Sequence, residues 1–513
     1  MGGKKRHELD TERWVLAASI LGSSMAFIDG TVVNVALPIL QEALGATATD
    51  VQWVVESYAL VTAALLLLGG ALGDKLGRRL VFAIGVGVFA AASFGCALAP
   101  TIEWLILGRA VQGLGAALLI PGSLALIGAG IPPERRGRAI GRWSAASAAA
   151  AAIGPLLGGW LVQEGSWRAI FWLNLPLAAL TFFITVKYVP ESRDPIARRL
   201  DFSGASLVTL GLGGVVFGLL EAPRLGFTHP LIAVALCAGV LLLGAFVRLE
   251  ARSPEPMVPL VLFRSRPFAG ANLLTLLLYA ALGGTLYFLP FNLIQIHGYR
   301  PAEAGAALMP LIVLISVLSP WAGRLVDRYG ARGPLIVGPL TAAMGFALLA
   351  LPGTRGDYWT TFFPGLALLG LGMAVTVAPL TTTVMGAVTA QRAGLASGIN
   401  NTVSRTASLL SIAVFGIVAY QRFNQALSER LNALGIPPEV QQLLANERSK
   451  LAAADVPHFL PTGLRSAVRS AIESSFVDAF RAVVLLCAVL AVGAAVFAWL
   501  FIGAKPLRTD SPG

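Results

Sequence analysis

The chain has 513 residues, of which 56% are hydrophobic and only 13% are charged. Soluble domains carry about 25% charged residues, so this composition excludes an ordinary soluble protein and indicates a polytopic membrane protein. The net charge of +11 does not indicate nucleic-acid binding, because no basic run lies in a stretch that would fold as a soluble domain. The three cysteines lie in apolar stretches and the four histidines lack ligand spacing, so we expect neither disulfides nor a metal site.

Residues 1–13 are basic and lead directly into a long apolar stretch without a small-residue cleavage site. We interpret them as a tail before an uncleaved first span. A hydrocarbon core of about 30 Å requires about 20 apolar residues per helix. Fourteen stretches meet that requirement, at 14–37, 51–73, 80–100, 103–130, 143–163, 169–189, 203–221, 230–248, 267–292, 304–322, 334–351, 359–386, 394–420 and 478–503.

Lysine and arginine are distributed unevenly between the connecting segments. Placing the N-terminus and every second connection in the cytoplasm puts 25 basic residues there, against four in the six short outer connections. This bias predicts that the tails 1–13 and 504–513 are both cytoplasmic, in a plasma (cell inner) membrane. The long outer connection 421–477 escapes the rule. Its polar pieces are predicted to form short amphipathic helices that either cap an exit or only connect two spans.

The stretch GALGDKLGRR at 70–79 recurs as GRLVDRYGAR at 323–332, which is 253 residues later. Each copy lies in a short cytoplasmic connection. We therefore predict an all-α fold with two pseudo-symmetric six-helix halves, 14–189 and 267–503, separated by two extra helices within 190–266. Repeated halves of this kind are typical of transporters that alternate access to a cavity at the midplane of the membrane.

Six stretches, taken in order, resemble the fourteen-helix drug/proton antiporters of the major facilitator superfamily, the QacA/EmrB-like family. The resemblance covers essentially the whole chain and implies the major facilitator fold, with small-molecule export driven by a proton gradient and no cofactor. We expect a functional monomer in the lipid bilayer. The stretches are DGTVVNVALP (29–38), GALGDKLGRR (70–79), LILGRAVQGLGAA (105–117), AAIGPLLGGWL (151–161), WRAIFWLNLP (167–176) and RAGLASGINNTVSRTAS (392–408).

The resemblance implies that the first repeat copy is a latch that holds the cytoplasmic side shut. Asp74 is placed to meet the positive N-terminus of the span that begins near residue 393, and Arg78 to pair with Glu134. An ordinary charged turn that follows the positive-inside rule is the alternative. The predicted gate residues are Gly70, Asp74, Gly77, Arg78, Glu134 and Asp327.

The fifth predicted span contains Gly154, Pro155, Gly158 and Gly159, which combine a kink with a face of small residues. In exporters of this superfamily a similar helix is associated with antiport rather than uptake, so the resemblance implies export. Plain helix packing at the glycines fits the same residues.

Three charged residues lie well inside predicted spans of the first half: Asp29, Glu56 and Arg109, about 13, 8 and 9 Å from the outer end. A charge at the bilayer centre costs about 2.5–3.5 kcal/mol, so such residues usually face a cavity and a partner. A dry site raises the pKa of a carboxyl and a nearby arginine lowers it, which suits proton coupling. We favour Asp29 as the coupling group and a mixed role for Glu56. The alternatives are a hydrogen-bond anchor at Asp29 and an acid at Glu56 that only hydrates.

Aromatic and amide residues in the spans are candidates for lining a substrate cavity, because aromatic faces hold flat apolar cations. Arg405 either compensates a carboxylate or binds carbonyls of a broken helix. The candidates are Phe27, Asn34, Trp53, Tyr58, Gln112, Asn272, Tyr279, Tyr287, Phe288, Asn292, Asn400, Asn401 and Arg405.

The leading hypothesis is a proton-coupled antiporter for hydrophobic, often cationic, small molecules, with the substrate and protons as its partners. An exporter of an endogenous lipid or secondary metabolite is a close alternative. A non-transporting membrane sensor is an alternative of another class. The sequence contains no nucleotide-binding loop, catalytic triad or metal cluster, which argues against an enzyme and against an ATP-driven pump.

Overall fold

The computed structural model describes residues 2–193, 201–254, 256–389 and 392–503, and the regular structure of this part is entirely helical. The predicted all-α class is therefore confirmed. The α-helices are α1 Gly2–Leu44, α2 Ala48–Leu76, α3 Arg78–Ala97, α4 Ile102–Gly130, α5 Pro133–Glu164, α6 Ala169–Trp172, α7 Asn174–Tyr188, α8 Phe202–Leu225, α9 Pro230–Arg252, α10 Arg266–Phe291, α11 Pro301–Ala307, α12 Met309–Tyr329, α13 Arg332–Leu348, α14 Tyr358–Thr361, α15 Phe363–Gly386, α16 Ala393–Ala433, α17 Pro438–Glu447 and α18 Thr462–Phe501.

Thirteen helices in the described ranges are long and apolar enough to cross a membrane. A shorter apolar helix, α13, lies where we predicted the span 334–351. The chain is thus a multi-pass membrane protein, and the count of fourteen spans stays a prediction.

The chain divides into two compact units. Unit 1 comprises Met1–Ala46, Asp50–Gly218 and Ala233–Met257. Unit 2 comprises Thr47–Thr49, Leu219–Ile232 and Val258–Gly513. Each unit contains one copy of the sequence repeat.

The repeat extends from the sequence into the packing inside each unit. In unit 1, a Cβ added to Gly85 of α3 would lie 3.1 Å from the carbonyl oxygen of Gly115 on α4. In unit 2, a Cβ added to Gly338 of α13 would lie 2.8 Å from the carbonyl oxygen of Gly372 on α15. Gly338 follows Gly85 by the same 253 residues as the sequence repeat. Small residues at both contacts therefore allow two helix backbones to approach closely.

The last two long helices continue well beyond the predicted spans 394–420 and 478–503. Residues 421–433 belong to α16, so the separate helix predicted there is wrong. The apolar pattern ends near 420, but the following residues QRFNQALSERLNA contain neither glycine nor proline, so nothing interrupts the helix. It ends before Gly435, whose φ of 62° suits glycine. The predicted helix farther along is present as α17.

Beyond the predicted spans, α16 and α18 pack against each other and bury a shared apolar layer. Asp478 on α18 ties the two helices, since its Oδ2 accepts a hydrogen bond from Arg430 of α16 at 2.6 Å. Its Oδ1 accepts one from Arg481 at 3.1 Å. The segment 421–477 is thus largely helical and has an interior of its own. The buried layer includes Phe423, Leu427, Leu431, Val468, Ile472 and Phe476.

We expect Asp478→Ala to lower the free energy of unfolding by about 1–2 kcal/mol, because two arginines lose a shared charged acceptor between helices. The control is Glu473→Ala, which breaks an (i, i+4) pair with Arg469 inside α18. Such pairs contribute only about 0.3–0.5 kcal/mol. Thermal unfolding of the detergent-solubilised protein measures both variants. Equal losses would show that Asp478 does not hold α16 to α18.

Candidate functional site

A buried ion pair joins α1 and α4. The Nη1 of Arg109 lies 2.6 Å from Oδ2 of Asp29, and the two side chains are 2% and 0% exposed. A buried charge without a partner is costly, whereas two opposite charges in hydrogen-bond contact compensate each other. The structure therefore brings together two of the three predicted intramembrane charges as a neutral unit.

Two amides complete the shell around this carboxylate. The Oδ1 of Asp29 accepts hydrogen bonds from Nε2 of Gln112 at 2.8 Å and from Nδ2 of Asn174 at 2.9 Å. The Oε1 of Gln112 in turn accepts one from Arg109 at 2.7 Å. Because Gln112 follows Arg109 by three residues on α4, both side chains lie on the face that meets α1. The carboxylate thus accepts from three donors.

Asn174 stands at the start of α7, one residue after a short interruption of the helix at Leu173. The short helix α6 ends at Trp172 and α7 begins at Asn174. Pro176 has no amide hydrogen to bond the carbonyl four residues earlier, which explains the break. On the far side of Asn174, the hydroxyl of Ser93 accepts a hydrogen bond from Nδ2 at 2.9 Å and donates one to the carbonyl of Phe171 at 2.9 Å. Neither Ser93 nor Asn174 was among the residues predicted from the sequence, although Asn174 stands in the motif WRAIFWLNLP.

The other side of Arg109 contacts α2. Its Nε donates to the carbonyl of Val54 at 3.2 Å, and its guanidinium lies 4.3 Å from the centre of the Tyr58 ring. The hydroxyl of Tyr58 donates to the carbonyl of Ala26 on α1 at 3.4 Å. Val54 and Tyr58 thus hold the guanidinium from a third helix.

Glu56 lies between Val54 and Tyr58 in sequence but takes no part in this network. Residues two apart on a helix point about 200° apart, so the side chain of Glu56 leaves α2 on another face than Tyr58. The side chain is fully buried, and neither carboxyl oxygen has a hydrogen-bond partner within the described ranges. Of the two carboxylates predicted inside the membrane, Asp29 therefore pairs with Arg109 and Glu56 does not.

At the first repeat copy, Arg78 donates from Nε and Nη2 to Oδ1 of Asp74 at 2.9 and 2.8 Å. Arg78 thus pairs with Asp74, and its predicted pair with Glu134 stays a prediction because the side chain of Glu134 lies outside the described part of the chain. Glu191, which was not predicted from the sequence, accepts hydrogen bonds from the backbone amides of Arg79 and Leu80 at 3.0 and 3.1 Å. It thereby caps the first turn of α3.

The two glycines of the predicted gate differ in their surroundings. Gly77 has a φ of 127°, a backbone conformation that favours glycine. A Cβ at Gly70 would make an ordinary 3.5 Å contact with Pro121. The side chains of Glu134 and Asp327 lie outside the described part of the chain.

On α5, two of the predicted antiporter-helix glycines lie directly against α1. A Cβ at Gly154 would collide with the hydroxyl of Thr31, and one at Gly158 would lie 2.6 Å from the carbonyl of Val32. These glycines therefore have a packing role next to the helix that bears Asp29. Their association with export stays a prediction.

The predicted cavity residues are in varied surroundings. In unit 1, Tyr58 and Gln112 belong to the network around Arg109, and Trp53 lies 6.1 Å from the ring of Phe217. In unit 2, Nδ2 of Asn400 donates to Oδ1 of Asn272 at 3.1 Å and so links α16 to α10. Tyr287, Phe288 and Asn292 are buried, Asn401 is exposed, and Phe27, Asn34, Tyr279 and Arg405 are half-buried.

Comparison with known proteins identifies the family. The model of the major facilitator superfamily matches residues 19–412. The chain is 37% identical to the multidrug resistance protein Stp of Mycobacterium tuberculosis (strain CDC 1551 / Oshkosh), covering 84% of this chain and 80% of that one. It is 34% identical to the tetracenomycin C resistance and export protein of Streptomyces glaucescens, covering 82% and 78%.

A more distant relative is the methyl viologen resistance protein SmvA of Salmonella typhimurium (strain 14028s / SGSC 2262), 30% identical over 88% of this chain and 90% of that one. Among solved structures, a bacterial homologue of the human lysosomal transporter Spinster in an inward-facing, unoccupied conformation has the same fold. Its TM-score is 0.67 at 17% identity, over 98% of this chain and 99% of that one. The chain belongs to the major facilitator superfamily and is a membrane transporter rather than an enzyme.

Proposed function

We propose that this transporter is a proton-coupled antiporter of the fourteen-helix drug/proton family and exports hydrophobic, often cationic, small molecules by alternating access. Its relatives support the export direction, since they are named as multidrug resistance, methyl viologen resistance, and tetracenomycin C resistance and export proteins. The proton gradient across a plasma membrane supplies the energy.

The observation that carries proton coupling is the isolation of Glu56. A buried carboxylate that is ionised and has neither a counter-charge nor a hydrogen bond is very costly. Glu56 meets that description within the described ranges, so we infer that it is a neutral acid in this conformation. It becomes ionised when water or a positive charge reaches it. A cationic substrate that replaces the proton on Glu56 gives this acid its mixed role.

Asp29 is the second acid in the proposed proton coupling. In this conformation its carboxylate is compensated by Arg109 and needs no proton. Loosening the contact with Arg109 when access alternates would leave Asp29 buried and uncompensated, and it would then take up a proton. The two acids therefore load and release protons at different stages of the cycle, because one is paired while the other is alone.

Export of a secondary metabolite made by the cell is the second candidate. It is favoured by the similarity to the tetracenomycin C resistance and export protein. The same acids and the same cycle would serve it, and only the substrate differs.

We expect Asp29→Asn to stop gradient-driven efflux while substrate exchange across the membrane continues, because an amide cannot release a proton.

Glu56→Gln should weaken the binding of a cationic dye and spare a neutral one, since the amide of glutamine cannot balance a positive charge. Arg109→Ala should abolish transport by leaving Asp29 without its counter-charge. Flux into proteoliposomes under an imposed proton gradient measures efflux and exchange, and dye fluorescence measures binding.

The control is Glu103→Gln, which removes an exposed acid from the first turn of α4, the helix that bears Arg109. It should behave as wild type in both assays. Substrate-induced proton release from purified protein decides the assignment. If Asp29→Asn and Glu56→Gln retain full release, singly and together, the proton is carried by another group.

The predicted latch is tested separately. Asp74→Asn should leave the protein folded, because its ion pair with Arg78 is partly exposed and such pairs contribute about 0–1 kcal/mol. We expect weaker closure of the cytoplasmic side, measured as faster labelling of cysteines introduced there. Glu191→Gln is the control, since it removes one charge from the same region and keeps an oxygen that caps α3. Unchanged labelling and transport in Asp74→Asn would contradict the latch.

A further inference from the structure

The hydrogen-bond shell of Asp29 matches an ionised carboxylate. Arg109, Gln112 and Asn174 all donate to it, and a carboxylate offers no hydrogen in return. A protonated carboxyl is different, because it has to donate its own hydrogen. If Asp29 takes up a proton, the shell has to provide an acceptor where it now provides only donors.

One acceptor in this shell is unused. The Oδ1 of Asn174 is buried and has no hydrogen-bond partner in the described part of the chain. The other amide oxygen nearby, Oε1 of Gln112, is already occupied by Arg109. A rotation of about 180° around the last side-chain bond of Asn174 exchanges its oxygen and nitrogen, which have nearly the same shape. The oxygen would then face Asp29 and Ser93, where the nitrogen lies now.

Ser93 can follow this rotation. Its hydroxyl now accepts from Asn174 and donates to the carbonyl of Phe171. A hydroxyl has one hydrogen and two lone pairs and rotates freely. It can therefore donate to Asn174 once the amide oxygen faces it, by turning its one hydrogen away from the carbonyl of Phe171.

We propose that Asn174 is a positioning residue for proton coupling: its amide donates to Asp29 when the carboxylate is ionised and accepts from it when the acid is protonated. The inference rests on the proposed function, because it concerns the proton that Asp29 carries. Hydrogen bonds to a charged group are about twice as strong as neutral ones. Asn174 thus favours the ionised form while it still accommodates the acid.

The other titratable groups around Asp29 are few. Arg109 on α4 is its counter-charge, and Tyr58 and Glu56 lie on α2. On α3, Cys96 interacts electrostatically with both members of the ion pair. The membrane part of α5, residues 143–163, has no charged residue. On α7 the one charge is Lys187, thirteen residues from Asn174 at the opposite end of the helix.

The test is an infrared titration of purified protein without substrate, with the band of the Asp29 acid identified by its loss in Asp29→Asn. In Asn174→Leu the pH at half-protonation of Asp29 should rise by about one unit, because the ionised form loses the stronger hydrogen bond. The carbonyl stretch of the acid should also move to the higher frequency of a carboxyl whose hydrogen has no acceptor. Asn174→Ala should change both in the same direction and avoids overpacking.

Thr181→Val is the matched control on α7. The threonine is fully buried, and its hydroxyl donates only to the carbonyl of Leu177 in its own helix. It should change neither the half-protonation pH nor the band. A half-protonation pH or a band that stays unchanged in folded Asn174 variants would overturn the inference alone. Absence of substrate-induced proton release in the wild type would instead overturn the proposed function.

Discussion

The ion pair between Asp29 and Arg109 determines how the first half of the protein is arranged around its polar centre. Neither charge is tolerable alone inside a membrane, so each helix that approaches has to supply a group that one of them can use. The helix α4 adds Gln112, and α7 adds Asn174. The helix α2 adds a carbonyl and the Tyr58 ring. The contacts that compensate these two charges thus hold four helices, α1, α2, α4 and α7, against one another.

The same constraint explains how much of the site is predictable from the sequence. Charged residues in apolar stretches are rare and need partners, and their depths follow from counting residues at 1.5 Å each. Asp29 and Arg109 stand out on these grounds. Ser93 and Asn174 do not, because serine and asparagine are unremarkable in a helix until the register against its neighbours is known. That register depends on close helix contacts, such as Gly154 and Gly158 on α5 against α1.

The fold shows a similar limit at the helix ends. Hydropathy locates the apolar stretches well, but it reports where the chain becomes polar and not where the helix stops. In α16 these two points are separated by residues 421–433, because good helix formers continue after the apolar residues end. Likewise, the contact between Arg78 and Asp74 depends on local helix geometry, because the two residues are four apart and lie on the same face.

The two buried acids of the first half, Asp29 and Glu56, have opposite environments. Asp29 is surrounded by donors and has a counter-charge, while Glu56 is buried with neither among the residues that the structure describes. If both acids had a counter-charge, both would stay ionised in every state and neither would bind a proton. If both were alone, the cost of two unpaired acids would work against folding. One compensated acid keeps the half stable, and under the proposed antiport the uncompensated acid is the one that responds to protons and cations. The proposed exchange of protons for cations needs both properties, and the two acids that would supply them lie on different helices, α1 and α2.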